Sequence, residues 1–195
     1  MEIVFIRHGQ GEHNLPVPDR LGIYHLHLTS KGRTQVEQLK SELNISNDDL
    51  FIVSPMVRTL ETASILTQDT RGVRLNVTPI AGPRMFPQNP EYKTSNCDRI
   101  LSRDRIKNDF PSFEFLDFDE IDFKELWDEG INEIEDRKFS AFGKVLITWA
   151  INQGFERTFI IAHDGTITSY RILLGEEGLS RSDFLGEAGI YKVNL

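Results

Sequence analysis

Cysteine is almost absent from these 195 residues: Cys97 is the only one. One thiol excludes an intrachain disulfide framework and fits a reducing compartment, so the chain reads as cytoplasmic. Long apolar runs are missing too. Nothing approaches the roughly 18 to 20 apolar residues that cross a bilayer. The start, Met1-Glu2-Ile3-Val4, has neither the basic region nor the small-residue cleavage site of a secretory signal. Positive charge is in deficit, 22 Lys and Arg against 30 Asp and Glu, for a net charge of −8. Such a surface opposes nucleic acid and anionic membrane. It still permits a small phosphorylated substrate, provided that arginines gather inside a cleft. Oligomeric state is left open.

Internal repeats and low-complexity tracts are also lacking, and the length suits one domain, residues 1–195. Short apolar runs at Ile3–Ile6, Leu50–Val53 and Thr158–Ala162 read as buried strands, being too short for helices and rich in β-branched residues. Val73–Thr78 alternates like a half-buried strand, and Gly189–Val193 reads as a last short one. Thr29 can cap a helix with Val36, Leu39 and Leu43 on one face. Further helical spacing covers Val57–Thr67, Lys138–Asn152 (Phe142, Val145, Leu146 and Trp149 inward) and Ile167–Leu174, closed by Gly175. Strands alternating with helices predict an α/β fold, a three-layer sandwich with a mainly parallel central sheet. Residues 79–133 hold five of the eight prolines and lose periodicity, which reads as an insertion capping the active site.

In open parallel sheets, ligands bind beyond the carboxyl ends of the strands. Three polar clusters fall there: Arg7-His8-Gly9, Ser54-Pro55-Met56-Val57-Arg58 and His163-Asp164-Gly165. Singly, each residue has an ordinary structural use, as a hydrogen-bonded histidine, a surface arginine or a helix cap. Together they place two arginines and two histidines in one cleft of an acidic protein. Arginine's planar fork fits two phosphate oxygens. With protonated His163 the two forks offset transition-state charge. Neutral His8 can attack phosphorus, its other ring nitrogen donating to a backbone carbonyl. Gly9 leaves room for phosphate against the backbone.

Ile3-Val4-Phe5-Ile6-Arg7-His8-Gly9-Gln10-Gly11-Glu12-His13-Asn14 resembles the opening motif of the histidine phosphatase superfamily, the phosphoglycerate mutase-like group. Leu28-Thr29-Ser30-Lys31-Gly32-Arg33 resembles its next helix entry. Ser54 to Ala63 is similar to its second arginine motif, and Ala162-His163-Asp164-Gly165 to its second histidine motif. The resemblance implies His8 as phospho-acceptor, with Arg7, Arg58, His163, Asn14 and Gly165 around the phosphate, and neither metal nor cofactor.

Two departures bear on the proton donor. The mutase-like branch carries glycine after the second histidine and a glutamate after the third strand. Here Asp164 takes the glycine's place, and Thr78 to Pro87 contains no acid. The acid phosphatase branch has His-Asp with the aspartate as donor, so Asp164 is the expected acid and Glu91 the alternative. A carboxyl beside a phosphate dianion favours its protonated form. Arg84, Lys93, Arg99 and Arg103 are candidate substrate contacts.

Other chemistries are weaker. Cys97-x5-Arg103 has thiolate-phosphatase spacing but no glycine to build a phosphate cradle. Asp117-Phe118-Asp119 does not follow a convincing strand, Phe113-Glu114-Phe115 being poor as a buried one. His25-x-His27 has no third metal ligand nearby. A metal-independent phosphatase of small phosphate monoesters is therefore expected. A phosphoglycerate mutase-type phosphotransferase, or a catalytically weak binding or regulatory member, stands as the alternative.

Overall fold

The computed structural model describes all 195 residues. Strand β1 (Glu2–Arg7) leads into helix α1 (Ser30–Glu42), followed by β2 (Asp49–Val53), α2 (Val57–Thr67) and β3 (Arg74–Val77). Then come α3 (Arg103–Asp109), β4 (Glu114–Phe115), α4 (Phe123–Glu129), α5 (Asp136–Asn152), β5 (Arg157–Ala162), α6 (Asp164–Leu173) and β6 (Ile190–Asn194). The six strands form one sheet in the order β4-β3-β2-β5-β1-β6. Every pairing is parallel except β6 on β1. None of the helices is long and apolar enough to cross a membrane.

The apolar runs are continuous because both sheet faces are covered. Val4, Ile6, Phe51, Val53, Phe159 and Ile161 face a core closed by α1, α2 and α3. Ile3, Phe5, Leu50, Ile52, Ile160 and Ala162 face a second core closed by α4, α5 and α6. Period-2 alternation thus divides each strand between two layers. Thr29 caps α1, its hydroxyl accepting from the Gly32 amide at 3.0 Å. Gly175 follows the last turn of α6 at φ +103°, a conformation that favours glycine.

Three expectations shift. Phe113–Phe115 does supply a strand, but only Glu114–Phe115, paired with Asn76 and Val77 at the sheet edge where Glu114 faces solvent. The buried stripe of α5 runs through Phe139, Gly143, Leu146, Ile147 and Ala150, while Phe142, Val145 and Trp149 are half-buried beside it. Gly143 sets that rotation. A Cβ there would lie 2.7 Å from Leu173 and 3.2 Å from the Tyr170 ring, so α6 packs against the glycine. Residues 79–133, finally, do more than overhang a site: Leu116, Ile121, Phe123 and Leu126 complete the second core.

Parallel register gathers the polar clusters. Arg7 lies beside Ala162, and Val53 beside Ile161. The next amides continue the ladder, Ser54 donating to Ile161 at 3.0 Å and His8 to Ala162 at 3.3 Å. His8, Ser54 and His163 therefore emerge side by side at the carboxyl end of the three central strands.

Candidate active site

A cavity of about 200 Å³ opens at that edge, lined by Arg7, His8, Arg58 and His163 and, from the wall opposite, by residues of segments 83–98 and 181–184. His8 is buried at its floor, and its Nδ1 lies 2.7 Å from the Gly9 carbonyl. A carbonyl only accepts, so Nδ1 carries the hydrogen and Nε2 keeps the lone pair. Burial first, then the Arg58 cation, His13 and Arg7, hold His8 well below the usual histidine pKa. The ring is a neutral base with a free nitrogen at pH 7. Its backbone is clamped as well: the His8 carbonyl accepts from Ala188, and the Arg7 amide donates to Gly189.

Arg58 enters from the first turn of α2, where the side chain of a buried helix would ordinarily be apolar. Its guanidinium is held by the 97–98 segment, Nη1 donating to the Cys97 carbonyl at 2.8 Å and Nη2 to Asp98 at 3.0 Å. Nη2 also lies 3.3 Å from His163 Nδ1. Since guanidinium nitrogens only donate, Nδ1 is the acceptor, and His163 Nε2 donates to Ser54 Oγ at 2.8 Å. With the protein's own groups alone His163 is neutral; the protonated form is the one expected with a phosphoryl group beside it. Burial and then Arg58 push its pKa well below the ordinary value. Only added negative charge beside it would restore the imidazolium.

Arg7 reaches across to the start of α6. Nη2 pairs with Asp164 at 3.0 Å, and Nη1 donates to the Leu185 carbonyl at 2.6 Å. Asp164 uses its second oxygen to accept from the Gly165 amide at 2.7 Å. It remains a third exposed and lines the cavity. Asn14 lines it too, its Oδ1 taken by the Gly11 amide at 3.0 Å, so that its NH2 faces outward from that bond. Nε of Arg7 and Nε of Arg58 are buried without partners. A tetrahedral anion supplies the acceptors such donors lack.

Other sequence-derived assignments change. Gly9 does not line the cavity; a Cβ there would meet the Gly32 carbonyl at 2.5 Å and Val36 at 2.8 Å, so its role is close packing on α1. Gly165 lines the cavity, but what needs glycine is the Arg84 carbonyl, 2.1 Å from a would-be Cβ. Arg84 also lines the cavity, but its side chain is fully buried. It donates to the Ile131 and Ile134 carbonyls, pairs with Asp136 at 2.6 Å and lies over the Phe139 ring. Glu91, Lys93 and Arg99 are exposed and outside the lining, and the half-buried Arg103 is outside it too. Arg103 pairs with Asp117, and Lys93 with Glu133. His27 is bonded to Glu61. Cys97 contributes only its carbonyl, since burial first and Asp98 next raise its thiol to about 11.

The structure adds residues that sequence reasoning missed: Ser54 under His163, Asp98 on Arg58, and His13, whose ring lies 5.3 Å from that of His8. Ser54 was within reach as the first polar residue after β2. For Asp98, 40 residues from its partner, no local signal existed.

Residues 3–81 of the chain match the family model of the histidine phosphatase superfamily (branch 1), and the chain shares its fold with solved phosphatases. Among individual relatives, it is 28% identical to a phosphoglycerate mutase-like protein of Arabidopsis thaliana, over 84% of this chain and 70% of that one. The alpha-ribazole phosphatase of Shigella flexneri superposes with a TM-score of 0.62 at 19% identity, over 100% of this chain and 91% of its own. The Entamoeba histolytica phosphoserine phosphatase in complex with 3-phosphoglyceric acid does so at 0.60 and 19%, over 98% and 89%.

Proposed function

We propose that this chain is a phosphatase that hydrolyses small phosphate monoesters without a metal, through a phosphohistidine on His8. The observation that carries the reading is the His8 tautomer: Nδ1–H fixed on the Gly9 carbonyl leaves Nε2 as a nucleophile at the cavity floor. Its neighbours suit a phosphoryl group. Arg7 and Arg58 each bring an unpartnered Nε, and His163 gains a proton when a dianion offsets the Arg58 field.

Nε2 attacks phosphorus as the ester P–O bond breaks, and the leaving oxygen takes a proton from Asp164. Water then attacks the phosphohistidine, returns a proton to Asp164 and releases inorganic phosphate with His8 free. Phosphate competes with Asp164 for Arg7, which frees the carboxyl to face the leaving oxygen. The phosphatase neighbours are consistent with hydrolysis. So is the burial of Arg84, which leaves fewer cations for the second phosphate that a mutase substrate carries.

Rapid-quench labelling with a radioactive phosphate monoester tests this. An acid-labile, base-stable phosphoenzyme should form in the wild type and in Cys97→Ser. In His8→Ala it should vanish, together with several orders of magnitude of turnover. Full turnover in His8→Ala, or a label on cysteine, would overturn the mechanism.

A further inference from the structure

One half-buried histidine of the cavity has no part in the proposed chemistry. His13 lines the cavity from the short turn Glu12–Asn14 that follows β1. Its fold-back depends on Gly11: a Cβ there would lie 2.6 Å from both Nδ1 and Cε1 of the His13 ring, and 3.3 Å from Arg58 Cδ. Without that Cβ, the imidazole lies flat over the backbone and reaches toward His8. Nδ1 is buried with no partner, and Nε2 has none either, which leaves its edge for the cavity.

The cations facing His13 are arginines: Arg7 from the end of β1, Arg58 from α2 and Arg20 from the turn at Arg20–Gly22. The neutral rings of His8 and His163 face it from the end of β1 and the start of α6. The carboxylates sharing the cavity are already engaged, Asp98 with Arg58 and Asp164 with Arg7. On its own turn, Glu12 is turned to the His27 amide. Burial first, then Arg58, Arg7 and Arg20, hold His13 down at about 3, so at pH 7 it is neutral. A dianion placed among the same arginines reverses the sign of the field that keeps the proton off.

We infer that His13 is a further phosphate ligand, one that takes up a proton as the dianion binds and so presents a second histidine cation to it, beside His163. This rests on the phosphate-pocket reading above. Binding and protonation are linked in both directions: a pocket that gains a proton with its ligand must bind that ligand more tightly as pH falls. Monoester dianions gain most, since diesters carry only one negative charge to support the new cation.

Sulfate is the probe, because it remains a dianion throughout the pH range of interest. Calorimetry at pH 7 in two buffers of different ionisation heat counts protons taken up per sulfate bound. His13→Gln, which keeps a hydrogen-bonding amide but cannot charge, should take up about one proton fewer than the wild type. The dependence of sulfate affinity on pH should flatten by about tenfold per pH unit. In the wild type, the nitrogen chemical shifts of His13 should move from the neutral to the imidazolium pattern on sulfate addition, which requires no variant to fold. Equal proton uptake in both proteins, or a His13 ring that stays neutral with sulfate bound, would overturn the inference. Failure of wild-type protein to bind sulfate would remove the phosphate pocket itself, and this inference with it.

Discussion

Arg7 and Asp164 form an ion pair at 3.0 Å between the end of β1 and the first residue of α6. In the proposed mechanism the pair joins a phosphate-binding group to the acid, and one contact would be exchanged for another when substrate enters. Arg7 would turn from carboxylate to phosphate and free the carboxyl to face the leaving oxygen.

The exchange makes Asp164→Asn informative. An amide keeps size and can still accept from the Gly165 amide, but it cannot act as an acid. Alkyl phosphates, whose leaving groups need the proton, should lose roughly a hundredfold to ten-thousandfold in kcat. Aryl phosphates such as p-nitrophenyl phosphate leave as stable anions and should lose far less. Steady-state kinetics on both substrates decides the matter. Equal losses would reduce Asp164 to an anchor for Arg7, and an unchanged alkyl rate would move the acid elsewhere.

Chelation is a second test. The positive charge around His8 comes from Arg7 and Arg58, each of which brings a buried Nε with no partner. Hydrolysis should therefore survive prolonged EDTA treatment. Vanadate, which adopts the trigonal-bipyramidal geometry of phosphoryl transfer, should inhibit competitively. Loss of activity on chelation, with recovery on added magnesium or zinc, would contradict the metal-independent mechanism.

The parts legible in the sequence share a physical cause. Ile3–Ile6, Leu50–Val53 and Thr158–Ala162 could be read as strands because burial on both faces leaves them no polar positions. Arg7, His8, Arg58 and His163 then followed from the strand ends. What the sequence withheld depends on approach between distant segments. Gly143 turns the face of α5 because α6 rests on it, 27 or more residues away along the chain. Arg84 lines the cavity, but its guanidinium is held by Asp136, 52 residues on, which no local pattern announces. His13 lies in a segment without periodicity, and only the missing Cβ of Gly11 brings its ring against His8.

The three histidines also set how the fold responds to acid. His8, His13 and His163 all have pKa values lowered in the folded protein, chiefly by burial and next by Arg58. A group of this kind binds a proton more readily when unfolded. Its contribution is fully present above the unfolded value, about 6.5, and drains away as pH falls toward the folded one. Each histidine contributes up to about 1.4 kcal/mol of lost stability per pH unit in that window. Urea denaturation should therefore show stability dropping between pH 6.5 and pH 5, before ordinary carboxylates are extensively protonated. His13→Gln should flatten that slope by up to one third, since one of three proton acceptors of the unfolded chain is gone. Sulfate at saturating concentration should flatten it further in the wild type, because a bound dianion supports the charged rings in the folded state and narrows the gap in pKa. A stability that stays level from pH 6.5 to pH 5 in the absence of anions would mean that the buried histidines charge as easily inside the protein as outside it.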